Sequence, residues 1–246
     1  MALGPRITGT PQNRALGDAI LSNLGAQGWQ THTQEFSYRD TPVRNAWGVK
    51  GNGATVRIVG AHYDTRRRAD QDSINKTSPV PGANDGASGV AVLMELARVL
   101  RVRDGEQVWL VFFDAEDNGD LDNWEWIVGS RRFAASLAIS PASVVVVDMV
   151  GDENQEIFLD RNSDAALSEK IWLVAKSLGY EQQFRMIPKY EMLDDHTPFR
   201  ERGWPAVDII DFDSPHWHTA QDTADKVSAL SLERVGRVLQ AWLEAP

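Results

Sequence analysis

The sequence predicts an α/β protein with a buried central sheet. Two short runs consist almost entirely of apolar residues, VWLVFF at Val108–Phe113 and SVVVV at Ser143–Val147. Runs of this length are too short for a membrane span and are typical of strands that are buried on both faces. Segments with apolar residues at helical spacing alternate with the strand-like runs, which is the order of elements in α/β folds.

In the first part of the chain, hydrophobic spacing predicts a helix, two strands, a loop and a second helix. The helix Asn13–Leu24 and the later helix Val90–Leu100 have apolar residues every three to four positions. Thr31–Tyr38 alternates weakly, as an edge strand does, and Thr55–Gly60 is a short apolar strand. Arg66–Pro81 is polar, contains two prolines and is predicted to be a long loop.

The second part continues the same alternation. Gly119–Gly129 is predicted to be a loop, and Ser130–Leu137 and Ala165–Leu178 are predicted to be helices. Ala206–Ile210 is a further strand, and Ser231–Leu243 ends the fold as an amphipathic helix. The sequence contains no repeat at solenoid periods.

Length and composition narrow the class of protein. A chain of 246 residues with 42% apolar and 24% charged residues is expected to form one globular domain over 1–246. Its net charge of -10 argues against nucleic acid or an anionic membrane surface as a partner. The N-terminus lacks the features of a secretory signal, so we expect a cytoplasmic protein or a trimmed secreted or periplasmic domain. The oligomeric state is not indicated.

Several predicted strands and one helix start are accompanied by carboxylate or imidazole side chains. In open α/β sheets the carboxyl ends of the strands form the ligand-binding edge, so these side chains are expected to lie close together. They are His62, Asp85, Glu116, Asp117, Asp148 and His218. Carboxylates this close repel each other unless a cation neutralises them. The chain has no cysteine, so a metal must be held by His, Asp, Glu or carbonyl oxygen, and zinc is the expected ion.

Three local patterns add to this prediction. If the chain stays extended after Thr55–Gly60, His62 and Asp64 point to the same face, and Asp64 could orient the His62 ring. Asp85 lies among three glycines and two alanines before a helix, more small residues than a helix cap requires. Trp124 and Trp126, in the loop after the acidic pair, could line a pocket or cover the core.

Six motifs resemble those of the co-catalytic zinc aminopeptidases and, more closely, of the animal and bacterial glutaminyl cyclases that share their fold. They follow one another along the chain in the order in which the family has them. The motifs span most of the chain, and together they are highly specific. They are AHYDT at Ala61–Thr65, GANDGASG at Gly82–Gly89, FFDAED at Phe112–Asp117, VVDMVG at Val146–Gly151, DDHTPF at Asp194–Phe199 and WHTAQDT at Trp217–Thr223.

The resemblance implies a single α/β/α sandwich domain with a mixed central β-sheet, like that of the zinc exopeptidases. It also implies a zinc ion held by Asp85, Asp117 and His218, with Glu116 as the general acid and base. In the aminopeptidases a second zinc is bound by residues matching His62 and Asp148, with the residue matching Asp85 as the bridge. The cyclases keep both residues and are generally described with one zinc, so one or two ions are expected.

Two reactions at peptide or protein N-termini are therefore open. For the cyclase reaction, Asp194 and Asp148 match an acidic network beside the zinc, and Trp217 matches a pocket tryptophan. Trp124 or Trp126 would supply a further pocket wall. Leu193 stands where animal cyclases have a substrate-holding glutamine, and Asp117 replaces a more usual glutamate ligand.

The features of the cyclases favour formation of N-terminal pyroglutamate with release of ammonia. The alternative is a zinc aminopeptidase that hydrolyses N-terminal residues. A third possibility, a binding module that has lost catalysis, would be expected to lack Glu116 or a metal ligand, and both are present.

Overall fold

The computed structural model describes residues 3–245. Its central feature is a six-stranded sheet in the order β1-β2-β4-β3-β5-β8, and β6 and β7 form a small second sheet. The strands are β1 Gln30–Tyr38, β2 Thr41–Gly51, β3 Thr55–His62, β4 Glu106–Phe113, β5 Ser143–Asp148, β6 Ile157–Leu159, β7 Phe184–Pro188 and β8 Ala206–Ile210. The helices are α1 Pro11–Ala26, α2 Ala87–Val99, α3 Val128–Ser136, α4 Ala165–Ser177, α5 Thr197–Glu201 and α6 Ala229–Glu244.

The sheet is mixed, as the resemblance implies. β1 and β2 form an antiparallel hairpin, and β2 pairs antiparallel with β4. β3 pairs parallel with β4 and with β5, and β5 pairs parallel with β8. The carboxyl ends of these four parallel strands therefore meet at one edge of the sheet.

Helices cover both faces of the sheet. Along β5, Val145 and Val147 pack into a core with residues of α1, α2, α4 and α6. Val144 and Val146 point the other way and pack with Phe133 of α3 and other apolar residues. This alternation along a fully buried strand produces the three layers of an α/β/α sandwich.

The predicted helices and strands are all present, with ends shifted by a few residues. The largest omission is β2, whose sequence TPVRNAWGVKG contains a proline and mixes polar with apolar residues. It is strand because it lies between β1 and β4, a tertiary reason that hydrophobic spacing does not reveal. The short elements β6, β7 and α5 are also missing from the sequence-based prediction. Within residues 3–245, none of the helices has the length and apolar character needed to cross a bilayer.

Candidate metal centre

The side chains predicted to share a site are brought together at the carboxyl edge of the parallel strands. His62 ends β3, Asp148 ends β5, and Glu116 and Asp117 follow β4. Five of the predicted side chains form two groups, and Asp85 belongs to both. Within each group the ligand atoms lie within 4.8 Å of one another, and Glu116 belongs to neither group. The groups are Asp85, Asp117 and His218, and His62, Asp85 and Asp148.

The first group is compact and buried. His218 Nε2 lies 2.8 Å from Asp117 Oδ1 and 3.6 Å from Asp85 Oδ2. In the second group, His62 Nε2 lies 3.1 Å from both Asp85 Oδ1 and Asp148 Oδ1. Asp85 Oδ2 and Asp117 Oδ2 are buried and have no hydrogen-bond partner among the described residues. Buried carboxylate oxygens without partners are costly, and a bound cation would satisfy them.

The pKa values of the carboxyl groups also indicate that the site suits a bound cation. Burial and the charge of Asp85 raise the pKa of Asp117 to about 6, although His218 opposes this shift. Burial raises the pKa of Asp148 to about 7 against the effect of His62. Burial also raises the pKa of Glu116 well above its ordinary value. The nitrogen and oxygen donors present are those that zinc accepts, so the residues fit a zinc ion.

Two buried aspartates hold the loops of this site, and sequence reasoning assigned that role to neither of them. Asp222 accepts hydrogen bonds from the backbone of Asn84 at 2.7 Å and of Asp85 at 3.0 Å. Asp64 accepts from the backbone of Glu116 at 3.1 Å and from the next residue at 3.3 Å. Asp64 Oδ1 is 3.5 Å from His62 Nδ1, which is close but longer than a normal hydrogen bond.

Gly86 permits the close approach of the Asp85 loop to β3. Its φ of +88° is strained for any other residue, and an added Cβ would lie 2.7 Å from the Asp64 carbonyl oxygen and 3.1 Å from the His62 ring. The small residues around Asp85 therefore serve packing as well as helix initiation.

A cavity of about 130 Å³ opens onto the first group and onto Asp148 of the second. Its polar lining includes Glu116, Asp148 and Asp194, and its apolar walls include Trp217, Trp126, Phe212 and Leu193.

The structure distinguishes the two tryptophans of the loop. The Trp126 ring stacks on His218 with centroids 5.9 Å apart, and the Trp217 ring stacks on it at 3.8 Å. Trp124 is buried instead against Tyr38, with centroids 5.2 Å apart. Trp126 is therefore a pocket residue, and Trp124 is a core residue.

The carboxyl groups of the predicted acidic network lie close together in the structure. Asp194 lines the cavity beside Asp148 and Glu116, and it is buried. After burial and Asp117, the charge of Asp194 is a further cause of the raised pKa of Glu116. These carboxyl groups therefore favour retention of a proton among them.

A mixed sheet between helices, with imidazole and carboxylate groups gathered at its carboxyl edge, defines the class of zinc exopeptidases and the glutaminyl cyclases that share their fold. Residues 46–243 match the sequence profile of peptidase family M28, and the chain belongs to that family.

Solved structures of two different activities resemble the chain almost equally. Glutaminyl cyclase of Porphyromonas gingivalis superposes with a TM-score of 0.93 and 30% identity, covering 99% of this chain and 93% of that one. A leucine aminopeptidase precursor of Bacteroides thetaiotaomicron gives 0.92 and 29%, covering 100% and 93%. The glutaminyl-peptide cyclotransferase-like protein of Bos taurus is 24% identical over 97% of this chain and 71% of its own length. The chain spans 60% and 40% of two further curated relatives.

Proposed function

We propose that the protein is a zinc-dependent glutaminyl-peptide cyclotransferase, which converts an N-terminal glutaminyl residue to pyroglutamate and releases ammonia. The observation that carries this proposal is the cavity of about 130 Å³, with Trp126 and Trp217 in its walls and Glu116 and Asp194 in its polar lining. A glutaminyl side chain folded back on its own α-amine is compact and suits a cavity of this size. Its substrates would be peptide or protein N-termini.

The metal ion would be held by Asp85, Asp117 and His218, one zinc per chain. When bound, the zinc supplies Lewis acidity that polarises the side-chain amide carbonyl of the substrate. His62 and Asp148 would complete a second site with Asp85 as the bridge, which is the arrangement that the aminopeptidase reaction would use.

Glu116 would move the proton that the reaction transfers. The substrate α-nitrogen forms a bond to the side-chain amide carbon, and the bond from that carbon to the amide nitrogen breaks. Glu116 takes a proton from the α-amine and returns it to the departing nitrogen, which leaves as ammonia. Its buried carboxyl group, close to Asp117 and Asp194, favours the protonated form that the second step needs.

Asp148 and Asp194 would assist by holding the substrate amine. Both line the cavity beside Glu116, where a free amine can donate to them. Trp217 and Trp126 would pack on the methylene groups of the side chain, and Leu193 lies 51% exposed at the cavity mouth.

A zinc aminopeptidase is the second candidate. It is favoured by the second group of possible metal ligands, His62, Asp85 and Asp148, whose ligand atoms lie close together. In that reaction Glu116 would take its proton from water, and the peptide bond would break.

Incubation of the zinc-loaded protein with Gln-Ala and Leu-Ala, followed by mass spectrometry, tests both candidates. The cyclase converts only Gln-Ala, with loss of ammonia and an intact peptide bond. Free amino acids from either dipeptide would identify an aminopeptidase instead. Absence of any turnover, with zinc content confirmed, would contradict both and favour a binding module.

A further inference from the structure

The ring of His218 has one nitrogen that the candidate metal centre does not use. Nε2 faces Asp85 and Asp117, whereas Nδ1 is buried and has no hydrogen-bond partner among residues 3–245. When a histidine binds a metal through one nitrogen, the other carries a proton and donates it to a nearby acceptor, which fixes the ring. His218 therefore requires an acceptor on its Nδ1 side.

Asp70 is on that side. Its Oδ1 lies 3.9 Å from His218 Nδ1, longer than a hydrogen bond but within the reach of a small side-chain rotation. The Asp70 side chain is 31% exposed, so it has room to rotate.

The guanidinium group of Arg66 pairs with the carboxylate of Asp70. Its Nε donates to Asp70 Oδ1 at 2.5 Å and its Nη2 donates to Oδ2 at 3.1 Å. Its Nη1 donates to the carbonyl oxygens of Asp117 at 3.0 Å and of Gly119 at 3.2 Å. One buried guanidinium thus connects the loop of Asp70 with the turn that carries a predicted ligand.

The same arginine supports the aromatic wall. Its guanidinium carbon lies 4.8 Å from the centroid of the Trp126 ring, and that ring stacks on His218. The loop after Arg66 also contacts the backbone around His218: Gln71 N donates to the His218 carbonyl oxygen at 3.3 Å, and Ala220 N donates to Asp72 Oδ2 at 3.0 Å. His218 has a φ of +55°, an unfavourable conformation that needs such support.

We propose that Asp70, held by Arg66, is the positioning residue that orients His218 toward the metal. Asp70 accepts the Nδ1–H of the imidazole, and Nε2 is thereby directed at Asp85 and Asp117. Neither Asp70 nor Arg66 touches the reacting atoms. The inference rests on the proposed metal site and adds two residues, from the long polar loop, that its motifs do not contain.

The variant Asp70→Asn tests the inference directly. In the parent protein Oδ1 and Oδ2 both accept from Arg66, and Oδ1 is also the atom nearest His218 Nδ1. In the variant the amide has only one acceptor atom and no negative charge, so the pairing with Arg66 and the attraction for the His218 Nδ1–H are both weakened. Loss of such a partner weakens metal binding by about 10- to 100-fold. Zinc affinity is measured on metal-free protein by competition with a chromogenic chelator, and Asp122→Asn, which changes an exposed partner of Arg68, is the matched control.

Arg66→Lys is the second variant. Lysine keeps the charge but cannot reach the carboxylate and two carbonyl oxygens at once, so zinc affinity should fall here too, whereas the control Arg68→Lys should leave it unchanged. Thermal unfolding of metal-free Asp70→Asn separates positioning from general damage, because a positioning residue that is 31% exposed changes zinc affinity with little change in the metal-free melting temperature.

His218→Ala separates a failure of the proposed metal site from a failure of the proposed role of Asp70. If this variant binds zinc as tightly as the parent protein, the proposed metal site itself is wrong. If it loses zinc while Asp70→Asn retains the affinity of the Asp122→Asn control, the site stands and the role of Asp70 is overturned. An equal fall in the melting temperatures of metal-free and zinc-loaded Asp70→Asn would also overturn it.

Discussion

Replacement of Glu116 by glutamine should separate proton transfer from metal binding. The side chain is only 10% exposed and lies 3.9 Å from His62 Nδ1, but it belongs to neither group of predicted ligands. Glutamine has nearly the same shape, so the cavity and both groups should persist. What is lost is the group that carries the proton, a contribution of about 100- to 10,000-fold in rate, or roughly 2.7–5.4 kcal/mol.

The assay is release of ammonia from Gln-Ala, measured together with zinc content per chain. Glu116→Gln should retain the zinc content of the parent protein while its turnover falls by at least about 100-fold. Glu125→Gln, an exposed change in the neighbouring loop, should leave both unchanged. Turnover within a few-fold of the parent protein would refute the assignment of Glu116, and a large loss of zinc would show that Glu116 is a ligand.

Four further predictions concern other parts of the molecule. Trp124→Ala should lower the free energy of unfolding by about 3–5 kcal/mol because Trp124 is buried, whereas Trp126→Ala should mainly raise KM. Gly236→Ala should stabilise α6 by about 0.5–1 kcal/mol in urea unfolding, since nothing lies within 4 Å of an added Cβ. Burial raises the pKa of Asp211 to about 7 from 3.8, so the folded protein keeps a proton that the unfolded chain gives up, and stability is lost as the pH rises from about 4 to 7. Between pH 5 and pH 8 the parent protein should therefore lose about 2.6 kcal/mol of stability from this group, a loss that Asp211→Asn should not show. Leu193→Gln, which adds an amide at the cavity mouth, should lower KM for Gln-Ala by about 2- to 10-fold.

The parts of the fold that could be predicted are those whose own side chains determine their structure. The apolar runs of β4 and β5 are buried on both faces, so their composition alone identifies them. β2 has no such run, and Pro42 near its start argues against a strand. Its hydrogen bonds come from β1 on one side and β4 on the other, and that pairing is a property of the tertiary structure.

Within the site, too, some features follow from local sequence and others only from tertiary contacts. The strand-end rule and the motifs locate the two groups of predicted ligands, since the topology of parallel strands determines where their ends meet. Asp222 and Asp70 act across long stretches of chain: the Asp222 carboxylate binds backbone groups 137 and 138 residues away. Trp124 and Trp126 lie two residues apart in one irregular loop, and only their tertiary contacts show which of them reaches His218.

The choice between cyclisation and hydrolysis depends on the cavity walls more than on the ligands. Both reactions need a polarised carbonyl and a proton carrier, so the proposed metal groups and Glu116 would serve either. They differ in the nucleophile, which is the substrate's own amine or a water molecule, and in the carbonyl attacked, which is that of the side-chain amide or that of the peptide bond. An amine held against the carbonyl carbon has a large advantage in effective concentration, provided that water is kept from that carbon. Trp126 and Trp217 line the cavity of about 130 Å³, and we expect them to keep water from the sides of a folded glutaminyl group. Enlargement of the cavity by Trp126→Ala should therefore shift the products of Gln-Ala from pyroglutamyl-alanine toward Glu-Ala, because water attack at the same side-chain carbon releases ammonia and leaves glutamate. An unchanged product ratio would mean that the walls do not select the nucleophile.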